Sequence, residues 1–588
     1  MKAILAGLVE AQRAGGIKTT ININGSSYHV TLKVPLALAI GDCEGNDKLC
    51  GRYGTHQLGN TLVCRDCNCP TLSSDLPDVV CQPLTTQIIA DARFNKAALQ
   101  SLSHHGIENA FHDVDFGGDA EGIHGCCPPE MLHLYQQGLY KYALESFMNF
   151  LTGQQRKALD QLISIISDCC CRQSDRTFPR FRFPRGVSNL TCFTASEQVG
   201  LALVCFFSLA MDDFRKLVYL KYNRSDGTWS TDEEGIPKCH EYRKLFEAML
   251  VAEAWINKDS HSKEEVLHHA PAQITKFMHT YKTTVDRTEG HGLKIPKFHQ
   301  LKHLPRYILK FGVPNNFSTA RCESHHITLS KRPAKTTQKR DESFEKQVGE
   351  RIIDSIVLNR ATSSILSTIK ALPPVTSDGS ISGTRFTILK LEQSSDYCAI
   401  QCNAPYAPLP FPISLLNAFA SEFEMYFPNH DGITCFTEHH RRDEHDTNYI
   451  FRGHPSYRGK PWHDWAYFCW CDDIEGSVTS GENLNQSIIS EIPGKIWFFF
   501  DVRQMTTNED YDPGLYAVVQ SLDRSPFRVQ GSNGSNILKV SRLTDTVSYS
   551  VCSTESIVDV ASVIPNIGGT NEHYVIDPPS DWSSYFIT

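Results

Sequence analysis

Long apolar runs are missing from this chain of 588 residues. A membrane-spanning helix needs about 20 consecutive apolar residues, and no segment of the sequence approaches that length. The first residues imitate a secretory signal, but Glu10 and Arg13 interrupt the apolar stretch, which favours the start of an ordinary helix. We therefore expect a soluble, intracellular protein with no membrane partner.

Internal repeats and long low-complexity tracts are also lacking. With 41% hydrophobic and 21% charged residues the composition argues against wholesale disorder. At roughly 150 residues per domain, the length predicts three or four domains. The 21 cysteines lie in clusters such as Cys126-Cys127. Because neighbouring cysteines rarely bridge each other, this pattern favours a reducing compartment and metal binding over a disulfide framework.

Acids are scarce in the middle of the chain, although the net charge is -9. Lysine and arginine outnumber the acids between Lys276 and Arg360, and the balance reverses beyond Ala371. A basic middle predicts that any nucleic acid lies along it, and two solvated surfaces of opposite sign are the alternative. DNA phosphate contacts are expected from one run of cations: Lys331, Arg332, Lys335, Lys339 and Arg340.

The first part of the chain, residues 1–127, reads as α/β. Ile4 to Ala14 has helical spacing, and Asn24-Gly25 predicts a hairpin between two alternating segments. The apolar run Leu36 to Ile40 is typical of a buried strand. Asp42 follows that run directly, at the position where functional side chains collect in α/β sheets.

The rest of the chain divides by its periodicity. Residues 128–285 show helical spacing and predict an inserted helical domain, and residues 286–372 end in a further helix. A linker rich in proline, glycine and serine covers 373–383. Short alternating segments dominate residues 384–588 and predict a separate all-β module.

Two pairs of metal-ligand residues stand on either side of the helical region. Cys64 and Cys67 form a CxxC, and His299 and His303 lie one helical turn apart. A Cys2His2 set is a structural zinc site, and Cys69 is a spare thiolate that can replace one ligand.

Two acids flank these pairs, Asp42 before the CxxC and Glu323 after the HxxxH. Carboxylates are the ligands that Mg²⁺ or Mn²⁺ prefers, and paired ions of this kind catalyse phosphodiester cleavage. Ser318 or Thr319 is the expected N-cap of the helix that carries Glu323.

In order and spacing, these motifs resemble the catalytic region of CACTA-type transposases, in particular the Plavaka-like group. The segments that carry the resemblance are Gly41-Asp42, Cys64-Arg65-Asp66-Cys67, Pro128-Pro129-Glu130-Met131-Leu132-His133, Phe183-Pro184-Arg185-Gly186, Pro296-Lys297-Phe298-His299 with His303, Phe317-Ser318-Thr319 with Glu323 and His326, and Phe451 to Trp465.

The resemblance implies an α/β ribonuclease-H-like catalytic core, interrupted by a helical insertion, with three acids of the Asp-Asp-Glu type. Asp42 matches the second acid and Glu323 the third. The zinc arrangement is similar to that of the V(D)J recombinase catalytic subunit. The resemblance to CACTA-type transposases further implies a nuclear protein that cuts and joins DNA at transposon ends and acts as a homodimer.

The first acid of the motif is not found in its expected place. Residues 1–41 contain no aspartate and only Glu10, so the core is predicted to have incomplete first strands and doubtful activity. In an alternative register Asp42 is the first acid and Asp113 or Asp115 the second. The competing hypothesis for function is a non-catalytic, domesticated DNA- or chromatin-binding protein on the same zinc-pinned scaffold.

Overall fold

The protein forms two compact units. The structure, a computed structural model, describes residues 2–54, 61–105, 109–169, 183, 186–187, 190, 193–210, 220–223, 225–226, 228–231, 235–320, 331–338, 340, 342–369, 380–390, 397–401, 411–426, 433–442, 448–457, 460–471, 489–502, 514–529, 538–564, 572–576 and 586. The first unit contains Met1–Arg156, Ser188–Ala371 and Trp582–Thr588, and the second contains Lys157–Val187 and Leu372–Asp581.

The first unit begins with a helix, Lys2–Arg13, and an antiparallel hairpin of the strands Ile17–Ile23 and Ser26–Leu32. Its turn residues Asn24 and Gly25 both have positive φ, 50° and 81°. A two-residue turn of this kind matches the twist of the two strands. The hairpin that the Asn-Gly pair predicts is therefore confirmed.

The buried strand predicted over Leu36 to Ile40 is wrong, because residues 33–42 have no regular secondary structure. Their backbone bonds go to two different segments: Leu36 N–H donates to Asp115 O and Ala39 N–H to Cys126 O. Because the two bonds go to separate segments, residues 33–42 do not pair with one neighbour in a β-ladder. The apolar side chains are used instead in a small core cluster with Phe111 and Ile123.

Short elements and loops connect this segment to the helical region. They include the helices Cys43–Leu49, Thr86–Ala92 and Lys96–Ser101 and the 3-10 turns Thr71–Ser73 and Gly122–Cys126.

Helices dominate the middle of the chain, as the periodicity predicts. They are Leu132–Tyr140, which has π-helical hydrogen bonding, Lys141–Phe150, Gly153–Cys169, Ala195–Ala210, Gly235–Ile256, the π-helical turn Glu265–His269, and Ala270–Thr284. A small hairpin, Leu220–Asn223 with Thr228–Thr231, was not expected from the sequence.

Two tyrosine hydroxyls link these helices in their core. Tyr135 donates to Met249 O and Tyr281 to Leu139 O, both at 2.8 Å. Tyr281 also lies with its ring 5.5 Å from that of Phe298. The helical region is therefore packed against the residue that precedes His299.

The remaining elements of the first unit follow in sequence. Helix Pro296–His299 continues as the 3-10 turn Gln300–His303 and helix Leu304–Phe311, and Pro314–Phe317 is a 3-10 turn. Arg332–Lys335 is a single helical turn. The long helix Phe344–Ile369 confirms the helix predicted at the end of this region.

The second unit is strand-rich. Twelve strands form one curled antiparallel sheet with side branches: Ser380–Lys390, Tyr397–Gln401, Ile433–Arg442, Asn448–Tyr457, Lys460–His463, Trp465–Cys471, Ile489–Asp501, Leu515–Val529, Leu538–Ser553, Ile557–Val560, Ser562–Ile564 and Glu572–Ile576. The prediction of an all-β module misses one helix, Ile413–Tyr426. Its apolar side chains pack on the sheet, in a cluster with Phe498 and Phe500.

The chain is therefore of mixed α and β structure, with helices in its middle and a strand-rich C-terminal region. Within the described ranges, none of the helices has the length and hydropathy of a membrane span.

Candidate metal centre

Three buried side chains and the half-buried His303 meet in the first unit at the place where the sequence predicts zinc. One ligand atom from each of Cys64, Cys67, His299 and His303 lies within 4.8 Å of every other. Cys64 Sγ is 3.4 Å from His303 Nε2, and Cys67 Sγ is 3.2 Å from His299 Nε2. Two thiols and two imidazoles at such distances are the donor set of a closed tetrahedral zinc site. The cluster can hold a metal ion such as zinc.

Local hydrogen bonds shape the cysteine side of the cluster. The Asp66 N–H donates to Cys64 Sγ at 3.4 Å, a bond within the turn between the two cysteines. Val63 N–H donates to Cys69 O at 3.0 Å and closes the loop at its base. The backbone of Cys67 further forms an isolated antiparallel β-bridge with that of Pro83. The loop is thus held independently of the histidines.

The two histidines follow the start of helix Pro296–His299, which determines their positions. Pro296 stands at the first position of its helix, where a missing N–H costs nothing. The chain stays helical through His303, so the two imidazoles lie on one face, with ring centroids 5.2 Å apart.

The charges of Cys64 and His303 act on each other in the cluster. Burial alone would raise the pKa of the Cys64 thiol, but a hydrogen bond from Cys67 and the charge of His303 lower it well below its usual value. Burial likewise opposes the charged form of His303, and Cys64 outweighs it and raises the pKa of His303. The two shifts have one cause, the attraction between the Cys64 thiolate form and the charged form of His303. Metal binding here releases protons, because the ligands must be deprotonated.

The two residues inside the CxxC are both fully buried and charged. Arg65 donates to the carbonyls of Cys127 and Pro128, at 3.1 and 3.2 Å, and its guanidinium lies 3.4 Å from Asp47 Oδ1. Burial raises the pKa of the Asp47 carboxyl, and Arg65 opposes that shift. Arg65 therefore joins the zinc loop to the start of the helical region.

Asp66 joins the same loop to the helix after the histidines. It accepts a hydrogen bond from the Tyr307 hydroxyl, and Arg306 Nη2 lies 3.6 Å away. Arg306 also pairs with Glu121 at 2.7 Å. These partners hold the loop against helix Leu304–Phe311. They give the cluster a second layer of polar contacts, which in metal sites orients the ligands.

The two predicted catalytic acids, Asp42 and Glu323, are not part of this cluster of described residues. Asp42 is exposed and caps helix Cys43–Leu49, with its Oδ1 accepting from Gly45 N–H at 2.6 Å. Glu323 lies outside the described residues. In the alternative register, Asp113 and Asp115 are both exposed, and Asp115 Oδ1 accepts from Gly117 N–H at 2.8 Å.

A buried carboxylate to which the sequence analysis gave no role, that of Glu130, lies at the start of the helical region. Glu130 accepts from the backbone N–H groups of Leu132 and His133, from His133 Nδ1 at 2.8 Å, and from Thr319 N–H at 3.1 Å. It thereby fixes the segment that leads to Glu323. The ring of His133 is thereby held on this carboxylate.

The charges of Glu130 and Asp42 both act on the Lys297 ammonium group. Burial lowers the pKa of Lys297, while Cys43, Asp42 and Glu130 act against that shift through their charges. The Lys297 side chain passes close to Gly138 in helix Leu132–Tyr140. A Cβ added to Gly138 would lie 2.9 Å from Lys297 Cδ. Glu130 is thus linked to the Thr319 backbone by a hydrogen bond and to Lys297 by charge.

Glu130→Gln should make the first unit less sensitive to acid. Burial raises the pKa of Glu130, but the donors from His133, Leu132 and Thr319 outweigh it, so the folded pKa lies below the model-peptide value of 4.5. The carboxylate's stabilisation is present above pH 4.5 and is lost as the pH falls through the folded pKa. We expect the variant to be about 1–3 kcal/mol less stable at pH 7, with the difference shrinking below pH 4.5.

Urea unfolding of the full chain at several pH values measures this difference. Glu145→Gln is the matched control, because its carboxylate makes only a surface contact with Lys141. A gap between Glu130→Gln and the wild type that stays constant down to pH 3 would contradict the assignment.

The predicted DNA-contacting cations are exposed where the structure describes them. Lys331, Arg332, Lys335 and Arg340 all face solvent around a turn anchored by the buried Pro333. Lys339 lies outside the described residues.

Comparison with known proteins adds no relative. No protein-family model matches the chain, and no curated protein matches it.

Proposed function

We propose that this chain is a transposase or transposase-derived protein, with a zinc-pinned, ribonuclease-H-like core that acts on DNA. One observation carries the proposal. Cys67 and His299 are 232 residues apart in sequence and meet at 3.2 Å, with the helical region between them. The resemblance to CACTA-type transposases requires this arrangement, in which a helical insertion separates the CxxC from the HxxxH.

The acids give the proposal its chemistry. Asp42 is exposed, its charge and that of Glu130 both act on Lys297, and the backbone of Thr319, which precedes Glu323, is bonded to Glu130. We assign Asp42 and Glu323 as the carboxylates that would hold Mg²⁺ or Mn²⁺. Such ions supply an activated nucleophile and stabilise the leaving oxygen in phosphodiester cleavage.

The cations after residue 330 supply the DNA contacts in this proposal. Lys331, Arg332, Lys335 and Arg340 are exposed and lie shortly after Glu323. Contacts of lysine and arginine with phosphates are independent of sequence and weaken as salt rises. We further assign the protein to the nucleus, as a homodimer on transposon ends.

A non-catalytic DNA- or chromatin-binding protein on the same scaffold is the second candidate. It is favoured by the hydrogen bond that Asp42 Oδ1 accepts from the Gly45 N–H, because this oxygen is then less available to a metal ion.

Asp42→Asn separates the two candidates. Asparagine caps a helix as well as aspartate does, so the fold should be kept while the charged metal ligand is lost. If the chain cleaves DNA, we expect nicking of supercoiled DNA in Mn²⁺ to fall by at least about a hundredfold, since carboxylate-held ions contribute several kcal/mol. Glu44→Gln is the control, an exposed acid in the first turn of the same helix.

DNA binding measured in parallel completes the test. Replacing Lys331, Arg332, Lys335 and Arg340 with glutamine should reduce the salt dependence of binding by about 0.9 in slope per lost phosphate contact. Binding without any cleavage by the wild type would favour the second candidate. Absence of both cleavage and binding would refute both.

A further inference from the structure

A second group of metal-binding side chains adjoins the zinc cluster. Cys69 Sγ, Cys81 Sγ and a ring nitrogen of His299 all lie within 4.8 Å of one another. Cys69 and His299 are buried, and Cys81 is partly exposed. Neither cysteine belongs to the Cys2His2 set, so that set leaves both thiols unused.

Both cysteines are held in place by the backbone around them. Val63 N–H donates to Cys69 O, Asn68 N–H donates to Gln82 O, and Gln82 N–H donates to Asn68 Oδ1. These bonds pair the segment before Cys69 with the residue after Cys81. The two thiols therefore face each other because of their local structure.

The loop before Cys81 is also attached to the histidine segment. Lys302 donates to the carbonyls of Pro77 and Val79. Since Lys302 is the neighbour of His303, one ammonium group fixes the approach of this loop to both histidines.

His299 has an unused nitrogen at this junction. Its Nε2 faces Cys67 at 3.2 Å, whereas its Nδ1 is buried and has no hydrogen-bond partner among the described residues. A metal-bound histidine almost always gives its other nitrogen to a carboxylate, a carbonyl or water. The Cys69 and Cys81 thiols, within 4.8 Å of a ring nitrogen of His299, are metal ligands themselves.

We propose that Cys69, Cys81 and His299 form a second metal site, so that the chain binds two zinc ions that share the His299 ring. Thiolate and imidazole donors select zinc over magnesium. The four cysteines, as thiolates, match the charge of the two divalent ions, and the bridging imidazolate adds one negative charge. Sharing requires both nitrogens of His299 to be deprotonated, and solvent at the partly exposed Cys81 side supplies the fourth ligand of the second ion.

The second ion is the weaker bound of the two. It has three protein ligands, one of them at a partly exposed cysteine, whereas the first ion has four. A chelator should therefore remove it first.

Metal counting on the full-length chain tests the proposal. The chain is saturated with zinc, exchanged into metal-free buffer and examined by native mass spectrometry. We expect two zinc ions per wild-type chain and one in the Cys69→Ser/Cys81→Ser variant. Cys126→Ser, a buried thiol outside both groups, should keep two.

Cobalt substitution gives a second readout that does not depend on zinc retention. The wild type should bind two equivalents of Co²⁺, each with sulfur-to-metal charge-transfer absorption, and the double variant should lose the contribution of the second equivalent. Cys81→Ser alone, at the partly exposed position, serves if the double variant does not fold.

A single zinc and a single cobalt in the wild type, unchanged in the cysteine variants, would overturn the second site. The proposed function would be untouched by that result, because it depends only on the first ion.

Discussion

Cys67→Ser is expected to release the structural zinc and to unfold the first unit at physiological temperature. Structural zinc contributes roughly 10–16 kcal/mol of apparent binding free energy in small domains at neutral pH, which equals or exceeds the roughly 5–15 kcal/mol that keeps a typical domain folded. The variant would also leave Cys64 and His299 buried without an ion. The helical region has its own core and should retain part of its secondary structure.

Zinc content and thermal unfolding of the full chain measure this effect. Cys126→Ser is the matched control, since it makes the same substitution at an equally buried thiol outside the metal-binding groups. The control should keep its zinc and most of its stability. A Cys67→Ser protein with bound zinc and the wild-type melting temperature would refute the ligand assignment.

Arg65→Met is expected to cost about 3–5 kcal/mol, because removal of one partner from a buried ion pair leaves the other charge uncompensated. Both Arg65 and Asp47 are almost fully buried. The substitution also removes the donors that reach the carbonyls of Cys127 and Pro128. Methionine fills a similar volume, so the loss is electrostatic more than steric.

Urea unfolding of single and double variants tests this reasoning. Adding Asp47→Leu to Arg65→Met should recover part of the loss, since replacing both members of a buried pair by apolar groups is far less costly than breaking it. Lys48→Met breaks an exposed pair with Glu44 and should leave stability unchanged. No recovery in the double variant would contradict the pairing of Arg65 with Asp47.

Local and chemical signals in the sequence predicted a good part of this structure. The Asn24-Gly25 turn needs only its two neighbouring strands, and zinc restricts its ligands to cysteine and histidine at short spacings. Both predictions depend on few residues. The cluster of Cys64, Cys67, His299 and His303 was accordingly predicted in full.

Features that depend on distant partners were missed. The apolar run at Leu36 predicted a strand, yet its backbone bonds with Asp115 and with Cys126 in separate segments, which no local pattern reveals. Arg65 and Glu130 look like surface residues until their partners, up to 189 residues away, are known. Helix Ile413–Tyr426 has helical apolar spacing, but the strand signals around it dominated the interpretation.

The separation of the two ligand pairs has a consequence for how the protein is made. His299 follows Cys67 by 232 residues, so at roughly 5–20 residues per second a ribosome needs about 10 to 50 s to pass from one to the other. During that interval the cysteine loop has emerged and its histidines have not. The helical region is synthesised in the same period, so the full ligand set, and with it zinc capture, comes only after that region has been made. Until then the nascent thiols are open to oxidation.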